Sequence, residues 1–239
     1  MQVSKMFFLM VIWLAGGCST YLYSPPARVS PLESPGILEE GASSAEIQTS
    51  VNGAIFGPDL VKIGAQVSQG ISDEVEVGGE FNMISLGRDD HAEHNIAEDH
   101  HPNIYTARLS AKWSPEVVEN YVAFTAGLGG GLSAAGGFVS PDVGVVMGYK
   151  NPYVTPFVSS AVYVSQPVNP IALDMRKHDE VDPDIRQPKF THGYSVASGA
   201  TLHLKQVDLT PGFSIDFLDD SNQSTAFIGL HFGFRANFD

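Results

Sequence analysis

Hydrophobic and polar residues alternate along most of this chain. Val61, Ile63, Ala65 and Val67 are apolar, with Lys62, Gly64, Gln66 and Ser68 between them. After "QGISD" the alternation resumes, with Val75, Val77, Gly79, Phe81 and Met83 on one parity and Glu74, Glu76, Gly78, Glu80 and Asn82 on the other. A period of two is that of a β-strand with unlike faces. The same period predicts strands near 46–56, 104–113, 121–131, 142–149, 193–204, 207–217 and 226–238. A further stretch near 153–165 is apolar on both parities, so the pattern does not set its facing. That makes about ten strands, and no segment longer than a turn or two carries a helical period.

Strands that follow one another through short turns predict an antiparallel meander. The second, fourth, sixth and eighth connections are short ("QGISD", "SPEVVE", "KNP", "KQ"), while the third and seventh, 87–103 and 166–189, are long. In an up-and-down barrel both long loops then fall on one rim, the asymmetry of transmembrane barrels.

The two faces differ in kind. The polar parity is mostly Gly, Ser, Thr, Gln and Asn, whereas the apolar parity carries Tyr105, Trp113, Phe124, Tyr149, Tyr194, Phe213, Phe217, Phe232, Phe234 and Phe238. Ten large rings would crowd the inside of a small barrel but sit easily outside it. Tyr105, Trp113, Tyr149, Phe217 and Phe238, near strand ends, suit interfacial girdles. Lys62, Glu76, Glu80, Arg108, Lys112, His231 and Arg235 all fall on the other parity and are predicted to face the lumen. A Lys or Arg facing mid-bilayer lipid would cost about 2–4 kcal/mol.

The fold class expected is all-β: an antiparallel up-and-down transmembrane β-barrel of about ten strands, with eight to twelve compatible. From Glu46 to the C-terminus the pattern resembles bacterial outer-membrane β-barrel proteins of the small meander type. The ending "HFGFRANFD" is similar to the C-terminal β-signal read by the barrel assembly machinery, with His231 as its polar position, Gly233 its glycine, and Ala236 and Phe238 its hydrophobic positions. It departs from that signal in the small Ala236 and in Asp239 after the final aromatic. The resemblance implies the assembly machinery as a partner during biogenesis.

Composition narrows the function. The 239 residues carry a formal net charge of −14, and 13 Lys and Arg are too few for a nucleic-acid partner. Charged residues are 17% of the chain, below the roughly 25% of soluble domains. The single cysteine excludes an intramolecular disulfide.

That cysteine ends the block "MQVSKMFFLMVIWLAGGC", in which Lys5 precedes the apolar run Met6–Leu14 and the small residues Ala15–Gly17. The run is shorter than the ~20 residues that span a bilayer and reads as a secretory signal peptide. "LAGGC" resembles the lipobox of bacterial lipoproteins, which implies cleavage before Cys18, acylation of its thiol and membrane lipid as a partner. Ser19 is not the Asp that, by resemblance to enteric lipoproteins, would favour retention in the inner membrane. The domains expected are therefore a signal peptide at 1–17, a lipid-anchored Pro/Ser-rich linker at 18–44 and a barrel at 45–239. The linker reads as a semi-rigid tether, with a plug inside the barrel as the sharper alternative.

Centring the second hairpin on Ile71 sets Lys62 opposite Glu80 and Gln66 opposite Glu76, with Arg108 and Lys112 beyond them. A structural ion-pair network or an ion-selective lining would follow. Strands five to eight carry mainly small residues on the lumen parity, which leaves room for a cavity, a channel or the linker.

The loop "GRDDHAEHNIAEDHHPN" holds His91, His94, His100 and His101 among acids, donors that suit a divalent metal, although their spacing matches no defined site. No other cofactor is expected. No catalytic constellation stands out: in "THGYS", His192 and Ser195 lie on opposite faces of one strand. The function expected is that of an outer-membrane lipoprotein barrel with a structural or narrow-pore role. Two alternatives stand beside it: a barrel binding ligand or metal through the two long loops, and a periplasmic lipid-anchored soluble barrel binding an apolar ligand. The oligomeric state is not legible.

Overall fold

The computed structural model describes residues 27–28, 32–54, 60–86, 103–118, 121–174, 185–219 and 224–238. The strands are β1 (Ser43–Ala54), β2 (Leu60–Ser72), β3 (Val75–Leu86), β4 (Asn103–Trp113), β5 (Val122–Ser133), β6 (Gly136–Gly148), β7 (Val154–Val168), β8 (Leu173–Asp174), β9 (Ile185–Arg186), β10 (Thr191–Leu204), β11 (Val207–Asp219) and β12 (Ser224–Phe238). Ten of them close an antiparallel barrel in which each strand pairs with its neighbour in sequence and β12 returns to β1. β8 and β9 form a separate two-stranded ribbon inside the long connection from β7 to β10.

Even strand number puts the start of β1 and the end of β12 at one rim. That rim also holds the connections 73–74, 114–121, 149–153 and 205–206, and is called the turn rim. The opposite, loop rim holds 87–102 and 169–190, the two long connections.

The strands form because their apolar residues recur every second position, and the barrel turns that parity outward. β2 alternates buried and exposed from Leu60 to Ile71. Leu109 at 73% and Leu230 at 72% exposure are typical of the outer face, where Ile47, Val51, Ile63, Val67, Phe81 and Val143 also stand exposed. Water does not tolerate an apolar belt of this extent, and lipid does. Eleven to fifteen residues per barrel strand exceed the roughly 9–11 needed to cross a bilayer at a tilt. Aromatic pairs mark both edges of the belt. Trp113 and Phe124 (5.7 Å between ring centroids) and Tyr121 and Tyr149 (5.9 Å) lie at the turn rim, and Tyr194 and Phe217 (4.6 Å) lie nearer the loop rim.

One expected register is corrected. Lys62 lies opposite Ile84, Gln66 opposite Glu80 and Gly70 opposite Glu76. The turn is Asp73–Glu74 rather than a bend centred on Ile71, with a bulge between Gly70 and Ser72. Gly70 is not a turn glycine. A Cβ there would stand 2.1 Å from the Glu39 carbonyl oxygen and 2.5 Å from that of Leu38, so its hydrogen is the condition for a second chain segment to lie against β2. The shift is an even number of residues, so no side chain changes face.

The true core is inside the barrel at the loop rim. Leu60, Ile84, Ile104, Phe138, Leu218 and Phe227, joined by Tyr163, form a layer in which none is more than 4% exposed. These residues sit on the inward parity, at the loop-rim ends of seven strands. β7, ambiguous by pattern, turns Thr155, Phe157, Ser159, Ala161, Tyr163 and Ser165 inward. Phe157 and Tyr163 therefore occupy part of the room that small residues on β5, β6 and β10 leave.

Candidate functional site

Below the apolar layer the lumen is charged. Lys62, Glu76, Glu80, Arg108, Lys112 and His231 are buried, and the Arg235 side chain is 13% exposed. All seven line the inner wall. Their partners follow from the register. Lys112 and Glu76 are direct cross-strand neighbours and meet at 3.1 Å. Arg235 and Glu46 are neighbours across the β1–β12 seam and meet through Nε and Nη2 at 2.8 and 2.7 Å.

Arg108 and Glu80 are also cross-strand neighbours, yet Arg108 makes its short contacts elsewhere. Its Nε and Nη2 donate to Asp142 of β6 at 2.7 and 2.6 Å, passing over Gly127 of the intervening β5. Glu80 is left facing three cations at longer range: Lys62 and Arg108 at 3.8 Å, and Arg28 at 3.9 Å. Neither Glu80 oxygen makes a hydrogen bond to a described residue. A buried carboxylate held by Coulomb attraction alone costs desolvation that good geometry would offset, so Glu80 is the soft point of the network.

Arg28 belongs to no strand. It comes from the stretch ahead of β1, whose described part, 27–28 and 32–40, enters the lumen instead of leaving the barrel as a tether. Gly41 donates its backbone N–H to the Gly70 carbonyl at 2.9 Å, and Gly70 donates to the Ala42 carbonyl at 2.9 Å. The Leu38 N–H donates to Glu76 at 3.2 Å. Leu32 packs with Val146 and Phe157. Arg28 pairs with Glu33 of the same segment at 2.6 Å. The Ala27 carbonyl accepts from Thr106 at 3.0 Å and from Asn82 at 3.5 Å. The segment thus meets the wall it covers through its own polar groups, with one Glu33 oxygen left without a hydrogen bond among the described residues.

Two histidine clusters resemble hydrolase relays in composition. Ser214 Oγ donates to Asp216 at 2.8 Å and lies 2.8 Å from His231 Nε2. The carboxylate meets the hydroxyl, whereas in a relay it holds the ring. At the turn rim, His203 Nδ1 meets Asp208 at 2.8 Å and its Nε2 meets Thr155 at 2.9 Å. The order is that of a relay, but Thr155 is 2% exposed and β-branched. A buried, crowded hydroxyl is a structural hydrogen-bond partner.

Sequence reading missed three features: the apolar layer, Asp142 as the partner of Arg108, and the contacts of the inserted segment. Cys18 and the loop histidines His91, His94, His100 and His101 lie outside the described residues.

No family model matches the chain. No curated protein matches it either. Solved structures similar to it include Neisserial surface protein A, at 11% identity over 82% of this chain and 96% of that one, with a TM-score of 0.40. The N-terminal β-barrel domain of Pseudomonas aeruginosa OprF is similar at 12% identity over 82% and 99%, with a TM-score of 0.36. The β domain of the Bordetella autotransporter BrkA is similar at 10% identity over 84% and 100%, with a TM-score of 0.46. The barrel itself rests on its own strand order and outward apolar face.

Proposed function

We propose that this chain is an outer-membrane β-barrel lipoprotein, anchored through an acylated Cys18, whose lumen is kept shut. Its role is structural: a rigid wall that holds the two long connections, 87–102 and 169–190, together at one rim. The observation that carries this reading is the filling of the lumen by two independent means. The inserted segment occupies the charged half, and the apolar layer closes the loop-rim half. An apolar constriction excludes water and with it hydrated ions. A narrow pore, the other role the pattern allows, needs a continuous wet path that these two features interrupt.

The test is conductance in a planar bilayer. The wild-type barrel is expected to be silent. A variant lacking 27–40 and carrying Ile84→Ser and Phe227→Ser is expected to give stepwise current. Stepwise current from the wild type would sink the proposal. Gel mobility of unboiled against boiled detergent extracts provides the folding control, because a folded barrel migrates apart from its boiled form.

A further inference from the structure

We propose that the wall binds a water molecule between β6 and β7, where it supplies a hydrogen bond that Pro141 cannot make.

Pro141 has no N–H, and it stands inside a strand of a closed ring that has no edge to receive it. It keeps its place opposite Leu128 of β5. Towards β7 the pairing runs from Gly137↔Val168 to Val139↔Gln166 and resumes in the same register at Asp142↔Tyr163, passing over Ser140 and Pro141. The missing donor therefore faces β7, and the Val164 carbonyl opposite it lacks its ladder partner.

The side chains beside this gap are polar as well. Ser140 and Ser165 stand opposite each other in the interrupted register and face the lumen, 1% and 0% exposed. Neither hydroxyl makes a hydrogen bond. A buried hydroxyl left so is costly.

A second proline in the wall provides the comparison. Pro211 of β11 pairs with Phe232 of β12, and its gap faces β10, where the register passes from Gly199↔Gly212 to Leu202↔Leu209. The inward pair beside that gap, Thr201 and Thr210, is joined directly at 3.2 Å. Ser140 and Ser165 hold the equivalent positions and are not joined. A group between them has to donate to the Val164 carbonyl and to exchange hydrogen bonds with two hydroxyls. Water does this, with about the three partners that a buried water holds. The position does not call for an ion: Asp142, the next inward residue of β6, gives both carboxylate oxygens to Arg108. Phe138 and Tyr163 of the apolar layer flank the site along the two strands and slow its exchange with bulk solvent.

The experiment uses the full chain folded in detergent micelles and reads cross-relaxation between water and backbone amide protons by NMR. The Val164 N–H points at the gap and is expected to show a cross-peak with the sign of a long-lived water. The Val162 N–H, on the same side of β7 but opposite Val143 in the unbroken ladder, is expected to show none. Urea unfolding in vesicles gives the second reading. Ser140→Ala and Ser165→Ala should each lower the midpoint, and the double variant by less than the sum, because both lose the same water. If the hydroxyls simply lack partners, alanine relieves them and raises the midpoint. A direct bond between the two serines would lower the midpoint but give no cross-peak. A missing cross-peak at Val164, or a raised midpoint in either variant, overturns the proposal. The heat-dependent gel shift shows which variants fold, and the cross-peak needs only the wild type, so the loss of a variant leaves the proposal open to refutation.

Discussion

Arg108 of β4 and Asp142 of β6 are joined by two short hydrogen bonds across a strand that neither belongs to. The guanidinium lies over Gly127, where a Cβ would come within 2.3 Å of Nε and Nη2. Three positions on three strands therefore act as one unit.

Asp142→Ala should cost about 3–5 kcal/mol, because it leaves a buried guanidinium with only the distant Glu80. Gly127→Ala should lose a comparable part of that by pushing Arg108 off Asp142. In Asp142→Ala/Arg108→Met the two costs should fall well short of additive. Urea unfolding in lipid vesicles, read by Trp113 fluorescence, measures all three. Additive losses would mean that the pair contributes nothing.

Gly70→Ala should expel the inserted segment and leave the wall standing. Its Cβ would meet backbone carbonyls of Leu38 and Glu39, which cannot turn aside as a side chain can. Cleavage after Glu39 and Glu40 by a glutamate-specific protease should become fast in the variant and stay slow in the wild type. An unchanged cleavage rate would show that the segment is not held at this point.

Leu109→Arg places a charge at the middle of β4 on the outward face. It should cost about 2–4 kcal/mol in a bilayer. The companion Thr125→Arg faces the lumen and should disturb the charged layer without the lipid penalty. Refolding yields into vesicles compare them. A harmless Leu109→Arg would mean that this face does not meet lipid.

Glu46→Ala should open the seam. The Glu46–Arg235 pair is a charged contact across the closing strands β1 and β12. Its loss removes the hydrogen-bonded partner of Arg235, leaving only the more distant Glu76 and Glu33, and should cost up to about 3–5 kcal/mol. The exchange Glu46→Arg/Arg235→Glu should restore a large share. Hydrogen exchange of the β1 and β12 amides should rise in the single variant ahead of the remaining strands.

What was legible in the chain follows from the physics of each feature. Face is local: a strict period of two sorts Lys62, Glu80 and Arg108 from Val61, Phe81 and Leu109 without any tertiary information. Register is not local. The glycine at position 70 reads as a turn, and only the carbonyls of Leu38 and Glu39 explain it. The apolar layer was open to reading, strand by strand. Ile84, Ile104 and Leu218 interrupt the polar parity at the loop-rim ends of their strands, a signal that averaging over whole strands removes. The inserted segment gives the opposite case. Its prolines describe a chain without regular structure equally well inside a barrel or outside one, and only its contacts with the wall, Arg28 with Glu80 and the Ala27 carbonyl with Thr106 among them, decide between them.

The position of that segment in the chain has a consequence for the order of construction. The ring closes only when β12 meets β1, the last strand made against the first. The segment is continuous with β1, and the hydrogen-bond and ion-pair partners that its described residues find on the wall, Gly70, Glu76, Glu80, Asn82 and Thr106, lie on β2 to β4. Those contacts can form on an unfinished, curling sheet. The segment then works as a mandrel: the wall is wound around it, and nothing has to be inserted into a finished cylinder.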